Sequence, residues 1–148
     1  MQLRMTVPEI ERLIGAAFGP AQQWFQIEEL RPGCLRTRML FQKWMLRPGN
    51  VISGPALFNA ADLAMYALIL GHQGPALMAA TADLSIRFLN RGQPADIIAE
   101  ATLLKLGSRL AVIEVRLTCG EDPTPVAHVM GSYSIPRQAV AAHMASSA

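Results

Sequence analysis

An α+β fold is what the sequence predicts: one long central helix wrapped by a curled antiparallel sheet, with an extra helix at the N-terminus. Three observations lead there. The segment 54–70 is nearly all apolar, so as a helix it must be buried on every side. Two strand-like runs precede it and four follow, with short turns that make the later ones antiparallel neighbours. The chain has 148 residues, 51% of them hydrophobic, enough for one full core in a single domain over 1–137.

The elements follow in order. Thr6-Val7-Pro8-Glu9 reads as a helix start, with Thr6 as cap, Glu9 three residues on and Pro8 in the first turn. Val7, Ile10, Leu13, Ile14, Ala17 and Phe18 then recur at helical spacing, and Gly19-Pro20 ends the run. This helix should lie as a cover on the body of the fold. Runs 24–30 and 35–44 read as strands around the turn Arg31-Pro32-Gly33. In the second, Leu35, Thr37, Met39 and Phe41 share one face and Arg36, Arg38 and Gln42 the other, so one face is wet. Arg47-Pro48-Gly49-Asn50 is a loop. Ser53 is the expected N-cap of the long helix, Pro55 suits its first turn, and Gly71-His72-Gln73-Gly74-Pro75 stops it. His72 falls at its C-terminus, where positive charge is favoured.

Four strand runs follow, at 78–90, 95–106, 109–119 and 125–135. The third alternates cleanly: Ala111, Ile113, Val115 and Leu117 inward, Val112, Glu114, Arg116 and Thr118 outward. Gly107-Ser108 and Gly120-Glu121-Asp122-Pro123 are the turns. Met39, Met65, Met78 and Met130 most simply pad the core. The Ala/Ser-rich tail 138–148 is expected to fray.

Composition narrows the function classes. Charged residues are only 16%, against an average of about 25%. So few charges cannot easily cover a small protein, and part of its surface should be buried against copies of itself. The net charge of +2 comes with no basic run, which argues against nucleic acid. Cys34 and Cys119 make neither a disulfide framework nor a metal site. Segment 1–10 has no apolar signal core and carries Glu9, which predicts a cytoplasmic protein. The apolar segment 54–70 is shorter than the ~20 residues a membrane span needs. It also carries Asp62, which costs ~2.5–3.5 kcal/mol at the centre of a span.

Asp62 is the informative residue. A carboxylate in so apolar a helix is paired, neutral or kept for chemistry. No Lys, Arg or His lies within one turn of it, and the same helix face carries Asn59 and Tyr66. The alternative is a structural aspartate, bonded to backbone or to a partner helix. The helix start is the second feature: its free N–H groups favour negative charge, and Gly54 lets a ligand approach the backbone closely. No nucleophile elbow, phosphate loop, His-x-x-x-His or cysteine pair is present.

Four blocks carry a family resemblance. Ser53-Gly54-Pro55-Ala56-Leu57-Phe58-Asn59-Ala60-Ala61-Asp62 resembles the helix signature of hotdog-fold acyl-CoA thioesterases of the PaaI type: His-Gly-Gly, six residues, then Asp or Glu. Thr81-Ala82-Asp83-Leu84-Ser85-Ile86-Arg87-Phe88-Leu89 is similar to the family's third-strand motif. Lys105-Leu106-Gly107-Ser108-Arg109-Leu110-Ala111-Val112 is similar to its hairpin, and Val126-Ala127-His128-Val129-Met130-Gly131 to its last strand.

The resemblance implies a hotdog fold and hydrolysis of an acyl-CoA. It places Asp62 on the catalytic carboxylate, Gly54 on the glycine whose N–H polarises the thioester carbonyl, and Thr81 on the residue that helps place the carboxylate or its water. Ser53, Asn59 and Tyr66 would line the substrate, and Arg91, Ser108 and Arg109 would lie near the coenzyme's phosphates. No metal or cofactor is implied beyond coenzyme A as part of the substrate. Homodimers, paired again into tetramers, are implied as well.

The chain departs from the family pattern at Ser53, where the family has His, and at Pro55, where it has Gly. It departs again at Arg47 and Asn90. These departures keep a second reading open: a non-catalytic acyl-thioester binding protein on the same scaffold. A hydratase of this fold would need a catalytic His near the helix start, and none stands between Arg47 and Asp62.

Overall fold

Helix α1 (Val7–Phe18) opens the chain in this computed structural model, which describes residues 2–137. The expected fraying of 138–148 lies outside the described residues. The start of α1 is the capping box that the sequence announces: Thr6 Oγ1 accepts from the Glu9 N–H, and Glu9 accepts from the Thr6 N–H. Gly19 caps its C-terminus at φ 76°, a conformation that glycine adopts without strain. Ile10 and Ile14 are fully buried, so the helix is a cover over β1 and the central helix.

A six-stranded antiparallel sheet has the order β1-β2-β6-β7-β8-β5. Its strands are β1 (Phe25–Arg31), β2 (Cys34–Met39), β5 (Ala80–Phe88), β6 (Ile97–Leu106), β7 (Leu110–Cys119) and β8 (Asp122–Ser134). A small hairpin, β3 (Leu46–Arg47) with β4 (Val51–Ile52), frames the loop at Arg47-Pro48-Gly49-Asn50. Helix α2 (Gly54–Gln73) then runs across the sheet. The expected architecture is therefore the observed one.

The inner face of the sheet explains how α2 is held so close. Ala99, Ala101, Ala111, Ala127 and Gly131 stand on it, and the helix meets them with Ala56, Ala60, Ala61, Ala64 and Ala67. Small residues on both sides let the backbones approach and exclude water. At Gly131 the Met65 side chain fills the space that a Cβ would need. Ala111, Ile113, Val115 and Leu117 point inward as their alternation predicts.

Several local expectations are corrected. Strand β2 stops at Met39, five residues short of the expected end. Asp96 causes this: its Oδ1 accepts from the Phe41 N–H at 2.8 Å and its Oδ2 binds Arg38 at 2.9 Å. The chain leaves the sheet and forms a short turn over Lys43–Met45. Helix α2 runs three residues further than expected, to Gln73, and is capped by Gly74, whose N–H donates to the Leu70 carbonyl. Strand β8 begins at Asp122, since only Gly120 and Glu121 are needed to turn the chain. Met39 and Met65 are core residues, but Met78 and Met130 are exposed, one before an edge strand and one on the outer face of β8. Thr118, expected outward, is buried.

His72 is a further correction. It is not a solvated cation at a helix end but 3% exposed. Its Nε2 accepts from the Gly33 N–H at 3.0 Å, and its Nδ1 lies 3.0 Å from the Leu68 carbonyl. The tautomer with its proton on Nδ1 satisfies both contacts, so the ring ties the end of α2 to the β1–β2 turn. His72→Ala orphans the buried Gly33 N–H and should cost about 1–3 kcal/mol of stability. Urea unfolding measures that loss, and specific activity per folded molecule should not change.

Candidate active site

Three elements meet at Asp62. Helix α2 supplies the carboxylate, two turns and more inside its N-terminus. Strands β5 and β8 supply Thr81 and Tyr133, which are direct cross-strand partners. Thr81 Oγ1 donates to Asp62 Oδ1 at 2.6 Å, and the Tyr133 hydroxyl donates to the same oxygen at 2.9 Å. Both distances lie within the ordinary range of O–H···O hydrogen bonds. The Tyr133 hydroxyl also lies 3.2 Å from the Asp62 carbonyl oxygen. No basic side chain pairs with Asp62 among the described residues.

A β-bulge makes this geometry possible. The β5–β8 register shifts between Thr81 and Asp83, leaving Ala82 as the extra residue. Leu84 and Ile86 face the core opposite Gly131 and Val129. Strict alternation counted back from them would turn Ala82 inward and Thr81 to solvent. The bulge reverses that and aims Thr81 at Asp62.

Asp62 opens on an apolar hollow of about 390 Å³, walled by Phe18, Trp24, Trp44, Tyr66 and Leu77 among others. Asn59 stands at its rim. Tyr66 contributes its ring rather than its hydroxyl, which donates to the Leu77 carbonyl at 3.1 Å. Burial pushes the Tyr66 hydroxyl above the usual phenol range. The ring stacks on Tyr133 with centroids 6.2 Å apart and takes the edge of Phe18 at 5.7 Å. Burial, with the Asp62 charge adding to it, pushes Tyr133 much further up than a Thr81 hydrogen bond pulls it down. Its phenol therefore remains a donor throughout the neutral range.

Gly54 lies elsewhere. It is the first residue of α2, with Ser53 as N-cap accepting from the Ala56 N–H at 3.3 Å. It borders a second hollow of about 780 Å³, together with Arg47, Phe88, Asn90 and Arg91. A Cβ at Gly54 would come within 3.2 Å of the Phe88 ring, so the ring packs against this helix start as closely as it does because the residue is glycine. Eight residues at 1.5 Å each put Gly54 and Asp62 about 12 Å apart along α2. Asn90, at the position where the family resemblance expects Arg, donates to the Pro125 carbonyl at 2.8 Å. Ser108 and Arg109 are exposed in the β6–β7 turn and border neither hollow. His128 lies on the outer face against Glu114 at 3.2 Å, away from Asp62.

So the structure brings Asp62, Thr81, Asn59 and Tyr66 to one hollow and Gly54 and Arg91 to another. Tyr133 is the residue that sequence reasoning missed. A signal for it existed, since Val129, Gly131 and Tyr133 continue the inward alternation of β8. Among the described residues, no three His, Cys, Asp or Glu side chains gather to hold a metal ion.

The same architecture recurs among solved structures. A candidate thioesterase from Silicibacter sp. TM1040 is 34% identical, with a TM-score of 0.84 over 93% of this chain and 96% of that one. Thioesterase superfamily member 2 from zebrafish is 19% identical and shares the fold at a TM-score of 0.78, over 90% of this chain and 100% of that one. The mouse protein of the same name is 14% identical at a TM-score of 0.76, again over 90% and 100%. No functionally curated protein matches the chain. The profile of the Thioesterase superfamily matches residues 49–126, a span that holds Gly54, Asp62 and Thr81. On that match and on the 34% identity across nearly the whole chain, this protein belongs to the Thioesterase superfamily.

Proposed function

We propose that the protein hydrolyses acyl-CoA thioesters in the manner of PaaI-type enzymes, with Asp62 activating the attacking water. The observation that carries this reading is the setting of the carboxylate. Two hydroxyl groups bind one of its oxygens, no cation neutralises it among the described residues, and it faces an apolar hollow. Such a carboxylate is oriented, with one oxygen left free among the described residues, beside a slot that suits an acyl chain.

The chemistry needs little else. Water attacks the thioester carbon and gives a proton to Asp62. The carbonyl oxygen takes up negative charge and is met by the Gly54 N–H at a helix N-terminus. The intermediate collapses, the C–S bond breaks, and the thiolate of coenzyme A leaves with the proton. Coenzyme A is part of the substrate, and the scheme uses no metal or other cofactor. Its phosphates would lie near Arg91, Ser108 and Arg109, on the outer side of the site.

The 12 Å between Gly54 and Asp62 supports a site shared by two chains. In an antiparallel pair of α2 helices, Gly54 of one protomer meets Asp62 of the other. The helix also keeps one open stripe, with Pro55, Phe58 and Asn59 exposed and Asp62 and Leu63 half-buried. Phe58 is 41% exposed in the single chain, as expected of a surface that a second copy covers. A homodimer follows from this reading, and the family resemblance implies that it pairs again into a tetramer. So does a cytoplasmic place, where acyl-CoA is found. Helix α2 is long and apolar enough to cross a membrane, but it is wrapped by the sheet and serves as the core helix of the domain.

Release of free thiol from a panel of acyl-CoAs, with Asp62→Ala as control, tests the reading. Turnover that vanishes in the control supports it, whereas tight binding without turnover would return the protein to the binding-protein reading. Thr81→Val keeps the shape of the side chain and removes its donor. It should lower kcat about ten-fold, the worth of a hydrogen bond to a charged group. The melting temperature should scarcely move, and unchanged kinetics would leave Thr81 an ordinary strand residue.

A further inference from the structure

We infer that Tyr133 is a positioning residue, which with Thr81 fixes Asp62 Oδ1 as the anchored oxygen and leaves Oδ2 as the one that takes the proton. This rests on the thioesterase reading above and adds to it a residue outside the matched 49–126 span.

The geometry is specific. A carboxylate on a helix can rotate about χ2, exchanging its two oxygens. Two donors on one oxygen stop that exchange. Thr81 and Tyr133 bind Oδ1 at 2.6 and 2.9 Å, and Oδ2 has no hydrogen-bond partner among the described residues. The two donors are opposite one another across the β5–β8 ladder, so the sheet fixes the backbone positions from which both reach Asp62. Strand β8 is an inner strand, held on one side by β7 and on the other by β5.

Tyr133 is itself held. It is 3% exposed, stacked on Tyr66, whose own hydroxyl is tied to the Leu77 carbonyl. Phe18 of α1 meets the Tyr66 ring in an edge-to-face contact. A chain of aromatic rings thus runs from the covering helix to the carboxylate. Thr81 alone would not suffice: β5 is an edge strand, the bulge lies beside Thr81, and its side chain is solvent-exposed. The buried tyrosine is the rigid partner and the threonine the adjustable one. The buried Tyr133 hydroxyl has its donor role satisfied by Asp62, as a buried phenol requires.

Tyr133→Phe removes the hydroxyl and keeps the ring. It should lower kcat about ten-fold with KM little changed, as loss of a bond to the reacting carboxylate requires. The readout that separates positioning from packing is the same substitution in an Asp62→Asn background. If Tyr133 acts through the ionised carboxylate, the residual rate of Asp62→Asn should change less than about two-fold when Tyr133→Phe is added. An equal fall in both backgrounds, or a fall in kcat matched by a collapse of the folded fraction, overturns the inference. A second cycle needs no turnover: Tyr133→Phe and Asp62→Ala in urea unfolding. A combined effect smaller than the sum supports the bond even if every acyl-CoA stays intact, so failure of the thioesterase reading is distinguishable from failure of this one. Additive effects there would sink it.

Discussion

Asp62→Asn should lose nearly all turnover, about 10²- to 10⁴-fold in kcat, while the protein stays folded. The amide is the same size as the carboxylate. Its oxygen can still accept from Thr81 and Tyr133, so the two anchoring bonds at 2.6 and 2.9 Å survive. What is lost is the proton acceptor, because an amide nitrogen cannot take a proton from water. The melting temperature should therefore move little, and KM should hold, since the apolar hollow is untouched. Thiol release under single-turnover conditions, set beside a thermal melt, measures both. Near-normal turnover in the Asn variant would end the catalytic role. A structural aspartate would instead reveal itself as a loss of melting temperature with activity per folded molecule intact. Asp62→Ala is the harsher variant, since it leaves the buried Tyr133 hydroxyl without its partner and should lower stability as well.

Much of this geometry was legible in the sequence, for reasons that can be named residue by residue. The capping box at Thr6 and Glu9 and the cap at Ser53 are local devices, written in adjacent residues. Alternation in 110–118 gave the inward face of β7, because a half-buried strand cannot hide its period. What the sequence concealed is set by contacts between distant residues. Strand β2 ends where Asp96, far along the chain, captures the Phe41 N–H. His72 is read as a helix-end cation until Gly33 is seen to donate to it. The bulge at Ala82 depends on pairing with β8, and without it Thr81 would face away from Asp62. Tyr133 was missed for the same reason. Its inward alternation was readable, but not which helix residue lay beneath it.

The strongest test of the two-chain site is complementation between two inactive chains. In the proposed dimer, each site takes Asp62 from one protomer and Gly54 from the other. Asp62→Ala removes the base. Gly54→Val blocks the close approach of the carbonyl to the helix start, where even a Cβ lies 3.2 Å from the Phe88 ring and the larger side chain must push further. Each pure dimer then has two broken sites. A heterodimer of the two has one site with both lesions and one with neither. It should recover about half the wild-type rate per dimer, as the two-fold relation dictates. Co-expression with two different tags isolates the heterodimer, and its composition is checked before assay. The arithmetic differs if one chain holds the whole site. Each protomer would then carry one lesion within its own site, every site would be broken, and no mixture could restore activity. Absence of recovery in verified heterodimers counts against the shared site, and a wild-type chain that is active as a monomer excludes it. The 12 Å along α2 makes recovery the expected result. An oxyanion donor must stand about 3 Å from its oxygen, with the base no more than one water away from the same carbon. One helix cannot bring its first residue and its ninth to a single carbonyl, whereas two helices running in opposite directions can.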